Sequence, residues 1–343
     1  MFDERNLLLE ARHVTRRFPA SGGRVLTACN DVNLKFYKGK TLGLIGESGC
    51  GKSTFMRLVV RLDIPTEGEI IFRGKDLTKL KGEELRQTRQ HIQMVFQDPN
   101  SSFHPKMRIR DILCEPLMNF GRIKALQKEE TARKLLKAVD LPGDFADRFP
   151  HSMSGGQRQR IAIARAIALE PELIIMDEAT CALDVSVQKT IIQLVCRLQK
   201  EKNIAIGFIA HDLGLIQSFA HQIAVMYLGN IVEIIPGEEV EKAKHPYTRT
   251  LIDSIFDPKM DFYKKIEPMD SEIPSPLDMP PGCPFQTRCE SCRELCRKER
   301  PVLKMIGEGH EVACHLFDGS GKGERSMPQA EAKKNCFFHR NPL

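Results

Sequence analysis

Nine consecutive residues, Gly46, Glu47, Ser48, Gly49, Cys50, Gly51, Lys52, Ser53 and Thr54, have the types and spacing that hold phosphate. They read G-x-x-x-x-G-K-[ST], a phosphate-binding loop (P-loop) whose glycines let backbone N–H groups turn inward. Lys52 suits the β- and γ-phosphates, and the Ser53 hydroxyl suits a magnesium ion. A second pair of chemical groups, Asp177 and Glu178, follows the apolar run Leu173–Met176. There Asp177 would hold the magnesium, and Glu178 would orient or deprotonate a water attacking a phosphoryl group.

These residues need particular elements around them. The run TLGLI, Thr41–Ile45, predicts a strand leading into the loop. Phe55, Leu58, Val59 and Leu62 predict one apolar helix face after it, and the helix N-terminus favours an anion. Leu173–Met176 predicts a central parallel strand, buried on both faces, with its carboxylates where α/β sheets bind ligands. Between the two lies Ser154-Gly155-Gly156-Gln157, which by itself is a capped helix start offering backbone amides and a hydroxyl to an anion.

In this order, the P-loop, MSGGQ and LIIMDE resemble the ATP-binding cassette (ABC) ATPases. The resemblance implies roles for further residues. Gln97, in QMVFQDPNSSFHP, matches the glutamine that contacts magnesium and links nucleotide state to a membrane partner. Asp184, in Ala182-Leu183-Asp184, matches the D-loop, and His211 matches the switch histidine at the γ-phosphate. Phe18 matches the aromatic residue that stacks on adenine. Taken singly, Gln97 reads as a loop amide, His211 as a strand-end histidine and Phe18 as core. Their ordered occurrence is what favours the catalytic set Glu178, His211 and Gln97.

VFQDPNSSFHPKM, ALDVSVQ, VMYLGNIVE and HPYTRTLI narrow the resemblance to ATPase subunits of oligopeptide, dipeptide and nickel importers, over roughly residues 7–317. It implies an α/β fold with a RecA-like core, an antiparallel β subdomain and a helical subdomain. It also implies ATP and Mg2+ as ligands, two transmembrane permease subunits, and a second, related ATPase as dimer partner. An extracytoplasmic binding protein would act indirectly, and no nucleic acid is expected. The chain would sit on the cytoplasmic face of the membrane and energise peptide import by ATP-driven dimer closure and reopening on hydrolysis. Nickel or another small solute is the alternative cargo. A soluble ABC protein acting on ribosomes or nucleic acid is the competing class, disfavoured by a single P-loop and no sustained heptads.

The cysteines are unevenly spread. Cys283, Cys289, Cys292, Cys296 and Cys314 crowd together after the proline-rich run Ile273–Pro284, and Cys336 stands alone. Spacing alone favours structural zinc on Cys283, Cys289, Cys296 and Cys314; the family resemblance shifts the expectation to a 4Fe–4S cluster. Reduced thiols without metal are the third reading, and Cys292 is a possible substitute ligand. The expected organisation is therefore an ATPase domain over 1–255, a small cysteine-rich C-terminal module over 256–317 and a mobile tail over 318–343. Two departures from the family's D-E-P-T-S-A-L-D are Ala179 and Cys181; losing the proline would loosen the D-loop. Alkylation of Cys50 and Cys181 is expected to inhibit, with ATP protecting.

The composition sets the outer limits. The chain has 343 residues, 41% hydrophobic and 28% charged, which excludes wholesale disorder and allows about two domains. No apolar run approaches the ~20 residues of a spanning helix, and the N-terminus does not read as a secretory signal. The net charge of +6 suits phosphate ligands or an anionic membrane face without arguing for nucleic acid.

Overall fold

The computed structural model describes residues 2–181, 183–253, 274, 275 and 277–317. The chain opens with two long antiparallel strands, β1 (Leu7–Pro19) and β2 (Val25–Tyr37). In β2, Val32, Leu34 and Phe36 alternate into the core with the period of a half-buried strand. The next strand, β3 (Thr41–Ile45), is buried throughout and ends in the P-loop, from which α1 (Lys52–Val59) leaves. Phe55, Leu58 and Val59 of α1 face the core as expected. Leu62 does not: the helix has ended, Arg61 takes φ 60°, and Leu62 is 46% exposed. Then β4 (Glu67–Phe72) and β5 (Lys75–Asp76) complete a four-stranded antiparallel sheet in the order β2-β1-β4-β5.

After α2 (Gly82–Arg89) and β6 (Ile92–Val95) the chain enters a helical layer. It comprises α3 (Pro99–Ser102), α4 (Ile109–Asn119), α5 (Lys128–Ala138) and α6 (Gly155–Ile167). Ile112 and Leu113 of α4, Leu136 of α5 and Ile161 and Ala164 of α6 share its apolar core. From there β7 (Leu173–Asp177), α7 (Val185–Lys202), β8 (Ala205–Ile209), α8 (Leu213–Gln217), β9 (Gln222–Tyr227) and β10 (Asn230–Pro236) return to the sheet region. The described chain ends with α9 (Pro246–Asp253), α10 (Glu294–Lys298), β11 (Lys304–Gly307) and β12 (His310–Val312).

The large sheet runs β11-β12-β10-β9-β3-β8-β7-β6, and β9, β3, β8, β7 and β6 within it are parallel. Parallel strands bury both faces and present their C-terminal ends together. The P-loop follows β3, Gln97 follows β6, Asp177 ends β7 with Glu178 next, and His211 follows β8. The parallel core, antiparallel sheet and helical layer match the expected parts.

The cysteine-rich segment differs from expectation. It is not a separate module: β12 pairs with β10, Glu233 opposite Val312, so the end of the chain extends the main sheet. Cys283, Phe285 and Cys296 belong to the same apolar core as β7 and β9. The reason is ring packing, with Phe285 5.2 Å from Tyr227 and 5.4 Å from Tyr247. The expected boundary at 255/256, the tail 318–343, Cys336 and Ala182 lie outside the described residues.

Candidate active site

The P-loop closes on itself. Lys52, 4% exposed, donates from Nζ to the carbonyls of Gly46 at 2.7 Å and Glu47 at 2.8 Å. The loop needs glycine at two close approaches, because a Cβ on Gly46 would stand 2.1 Å from the Met226 carbonyl oxygen. One on Gly51 would stand 2.0 Å from that of Ala28. Ser48 and Gly49 face solvent at the tip of the loop, and Thr54 lies in the first turn of α1. Cys50 is 4% exposed and burial pushes its thiol up, against the pull of Lys52. Its burial argues against the alkylation expected at Cys50, whereas Cys181, the other residue of that expectation, is exposed.

The strand ends bring the remaining polar groups to this loop. Ser53 Oγ donates to Asp177 Oδ1 at 2.8 Å. Burial raises the Asp177 carboxyl above its ordinary range; Ser53 opposes the shift and the neighbouring Glu178 adds to it. Two adjacent carboxylates and a hydroxyl at the end of a buried strand are oxygen donors of the kind magnesium takes, so the residues fit that ion. Glu178 takes φ 48°, an uncommon left-handed conformation for a side chain larger than glycine. Its Oε1 lies 2.5 Å from His211 Nε2. Gln97 is exposed just beyond β6, whose Val95 is in register with Met176. A groove of about 400 Å³ opens beside it, lined by Phe96, Phe103, Phe120, Arg86, Arg89 and Glu115.

Phe18 pairs with Leu26 on β2, two residues from the Ala28 carbonyl that packs on Gly51. It thus lies along the strand that flanks the loop, with the Arg16 guanidinium 4.4 Å from its ring centre. Ser154, Gly155, Gly156 and Gln157 are elsewhere. Ser154 caps α6 through a reciprocal pair with Gln157, at 3.3 and 2.9 Å, and the turn lies against Leu183 and Val187. Among the described residues no hydrogen bond or ion pair joins this turn to the P-loop. Asp184 caps α7, accepting from the Val187 N–H at 3.0 Å. Ala179, 2% exposed, is packed into the core where the family has proline.

The cysteines meet only in part. Burial pushes the Cys283 thiol up to about 12, with Cys296, Cys314 and Cys289 as electrostatic neighbours. Cys289 is raised by burial as well. Among the described residues no group of three or more His, Cys, Asp or Glu side chains stands in metal-holding geometry. The expected 4Fe–4S or zinc centre on Cys283, Cys289, Cys296 and Cys314, with Cys292 in reserve, is therefore not supported by the described geometry. Cys283 and Cys296 are buried in the shared apolar core with Cys289 and Cys292 at its margin, and burial disfavours the thiolates of Cys283 and Cys289.

Two residues at the site carried no signal for this role. The Glu47 N–H donates to Tyr247 Oη at 2.9 Å, and Arg288 Nη1 donates to Glu47 Oε2 at 2.9 Å. Tyr247 stood within HPYTRTLI only as a family marker, and Arg288 is 241 positions from its partner.

The comparisons with known proteins agree with this geometry. Residues 29–181 match the model of the ABC transporter family, and residues 232–296 match the oligopeptide/dipeptide transporter C-terminal region. A probable peptide ABC transporter ATP-binding protein of Sinorhizobium fredii is 44% identical over 90% of this chain and 90% of its own. The oligopeptide transport ATP-binding protein OppF of Escherichia coli is 41% identical over 92% of this chain and 97% of its own. Among solved structures, a dimeric post-hydrolysis ATP-binding cassette bound to ADP and Pi aligns with TM-score 0.62 and 30% identity. That alignment covers 67% of this chain and 99% of the cassette.

Proposed function

The chain belongs to the ABC transporter family, among the ATP-binding subunits of oligopeptide transporters, and from that premise we propose how it powers import. It is an ATPase that energises peptide uptake through a membrane permease. Lys52 leaves the Gly46 and Glu47 carbonyls for the β- and γ-phosphate oxygens, and the loop N–H groups turn to the same anion. Ser53, Asp177 and Gln97 would hold Mg2+, which supplies charge neutralisation at the phosphates. Glu178 accepts the proton of a water whose oxygen bonds to the γ-phosphorus as the bond to the bridging oxygen breaks. His211, within 2.5 Å of Glu178, steers that carboxylate and donates toward the departing phosphate.

The partly exposed Ser154–Gln157 turn serves the nucleotide of a second cassette, so two ATPases close on two nucleotides; we take the second to be a related chain. The similar dimeric cassette bound to ADP and Pi supports pairing. Phe18 stacks on adenine once Arg16 yields its ring face. The groove beside Phe96 receives a permease helix, its exposed ring and paired arginines suiting an apolar helix bearing a carboxylate. No helix among the described residues is long and apolar enough to cross a membrane, which fits a peripheral subunit; we place it on the cytoplasmic face, receiving cargo indirectly from a binding protein. Residues 1–255 would carry catalysis and 256–317 the importer-type extension. No step is assigned to the cysteines.

What carries this reading is the convergence of Lys52, Ser53, Asp177, Glu178 and His211 at one edge of the parallel sheet. Glu178→Gln should retain MgATP binding and lower hydrolysis by about 10²-fold or more, trapping a closed dimer in size-exclusion chromatography. Turnover at the unaltered rate would remove Glu178 from its role.

A further inference from the structure

Glu47 is held at three points. Its N–H donates to Tyr247 Oη at 2.9 Å, its carbonyl accepts from Lys52 at 2.8 Å, and its carboxylate accepts from Arg288 at 2.9 Å. Arg288 lies in the segment matched to the oligopeptide/dipeptide C-terminal region, immediately before Cys289. Its side chain is 5% exposed, with the Tyr227 and Phe285 ring centres each 5.8 Å from the guanidinium. Its only other polar contact among the described residues is a long one, 3.4 Å to Tyr227 Oη, and its buried Nε–H has no partner there. Among the described residues Glu47 is thus the carboxylate paired with this buried guanidinium, and removing either partner leaves the other charge uncompensated.

We propose that Arg288 is a positioning residue for MgATP binding, acting through Glu47 to hold the first turn of the P-loop. The proposal rests on the ATPase reading above. At rest Lys52 braces the Glu47 carbonyl; when Lys52 moves to phosphate, that brace is lost. The Arg288 and Tyr247 contacts remain and keep the loop N–H groups aimed inward, so less ordering is left to be done on binding. The extension, which pairs with the main sheet through β12, thereby touches the nucleotide loop through one side chain.

The test compares the unaltered full chain with Arg288→Met and Arg288→Lys. It measures MgATP affinity by titration, kcat and KM in the assembled importer, and the unfolding temperature of each variant. Arg288→Met should weaken MgATP about tenfold, as expected for a broken buried pair, and raise KM with kcat at saturating ATP within about twofold. Arg288→Lys keeps the charge without the planar fork and should fall between, about threefold weaker. That comparison reads the same quantity if Arg288→Met does not fold. Unchanged affinity in either folded variant overturns the proposal. So does a fall in kcat that tracks a lower unfolding temperature with KM unmoved, which would mark Arg288 as structural only. Failure of the unaltered chain to bind MgATP would sink the ATPase reading as well, whereas equal binding by the chain and its variants would sink this inference alone.

Discussion

At the residue scale the site is poised in a self-satisfied state. Lys52 rests on its own loop, Ser53 on Asp177, and His211 beside Glu178, contacts that the proposed mechanism would exchange for phosphate and magnesium. The left-handed Glu178 carries about 1–3 kcal/mol of backbone strain, retained because the strand end aims its carboxylate at His211. The thiols offer a direct check on this geometry. A brief maleimide pulse, read by peptide mass spectrometry, should label Cys181 and spare Cys50, which is 4% exposed beneath the loop. Equal labelling of the two would contradict the closed loop described above. Most of this site was legible because each group sits in a contiguous motif whose spacing encodes its own strand, turn and helix. Arg288 and Tyr247 were not, because their partner Glu47 lies in a distant part of the sequence.

At the element scale, the last strands are tied to the sheet by a buried polar cluster. Glu233 of β10, fully buried, accepts from the Lys244 N–H at 2.7 Å and the His245 N–H at 3.1 Å. His310 of β12 stands 2.8 Å from it. Burial pushes Glu233 up, but His310 and the Lys244 N–H, among other neighbours, outweigh it and hold it below its ordinary value. Burial drives His245 from 6.5 down to about 4, and its Nδ1 accepts from the Tyr247 N–H at 3.1 Å, which a proton there would break. A histidine lowered on folding binds its proton first in the unfolded chain. Stability should therefore fall as pH drops from about 6.5 to about 4, by roughly 1.4 kcal/mol per pH unit. Glu233 adds loss of the same sign further into acid, as pH falls through its lowered value. His221, also lowered by burial, contributes in the upper window, so the check is the difference between the chain and His245→Gln in urea melts. Identical slopes in the two would contradict it. Cysteine spacing could not reveal this arrangement: it reports how far apart ligands are along the chain, not that β12 pairs with β10 or that Phe285 seats among tyrosines.

At the scale of the whole molecule, one edge of a parallel sheet gathers four motifs, while the Ser154 turn and Asp184 cap face other surroundings. On the proposed pairing with a second cassette, that division would make the chain half of a site, as the resemblance implies. The most direct test of the central claim is ATP-dependent uptake of a labelled peptide into vesicles. These would carry the cognate permease pair, binding protein and second ATPase, with this chain either unaltered or Glu178→Gln. The account predicts uptake that requires this chain and ATP, and that collapses with Glu178→Gln although the complex still assembles. Uptake that proceeds equally with the altered chain, or without it, would contradict the account.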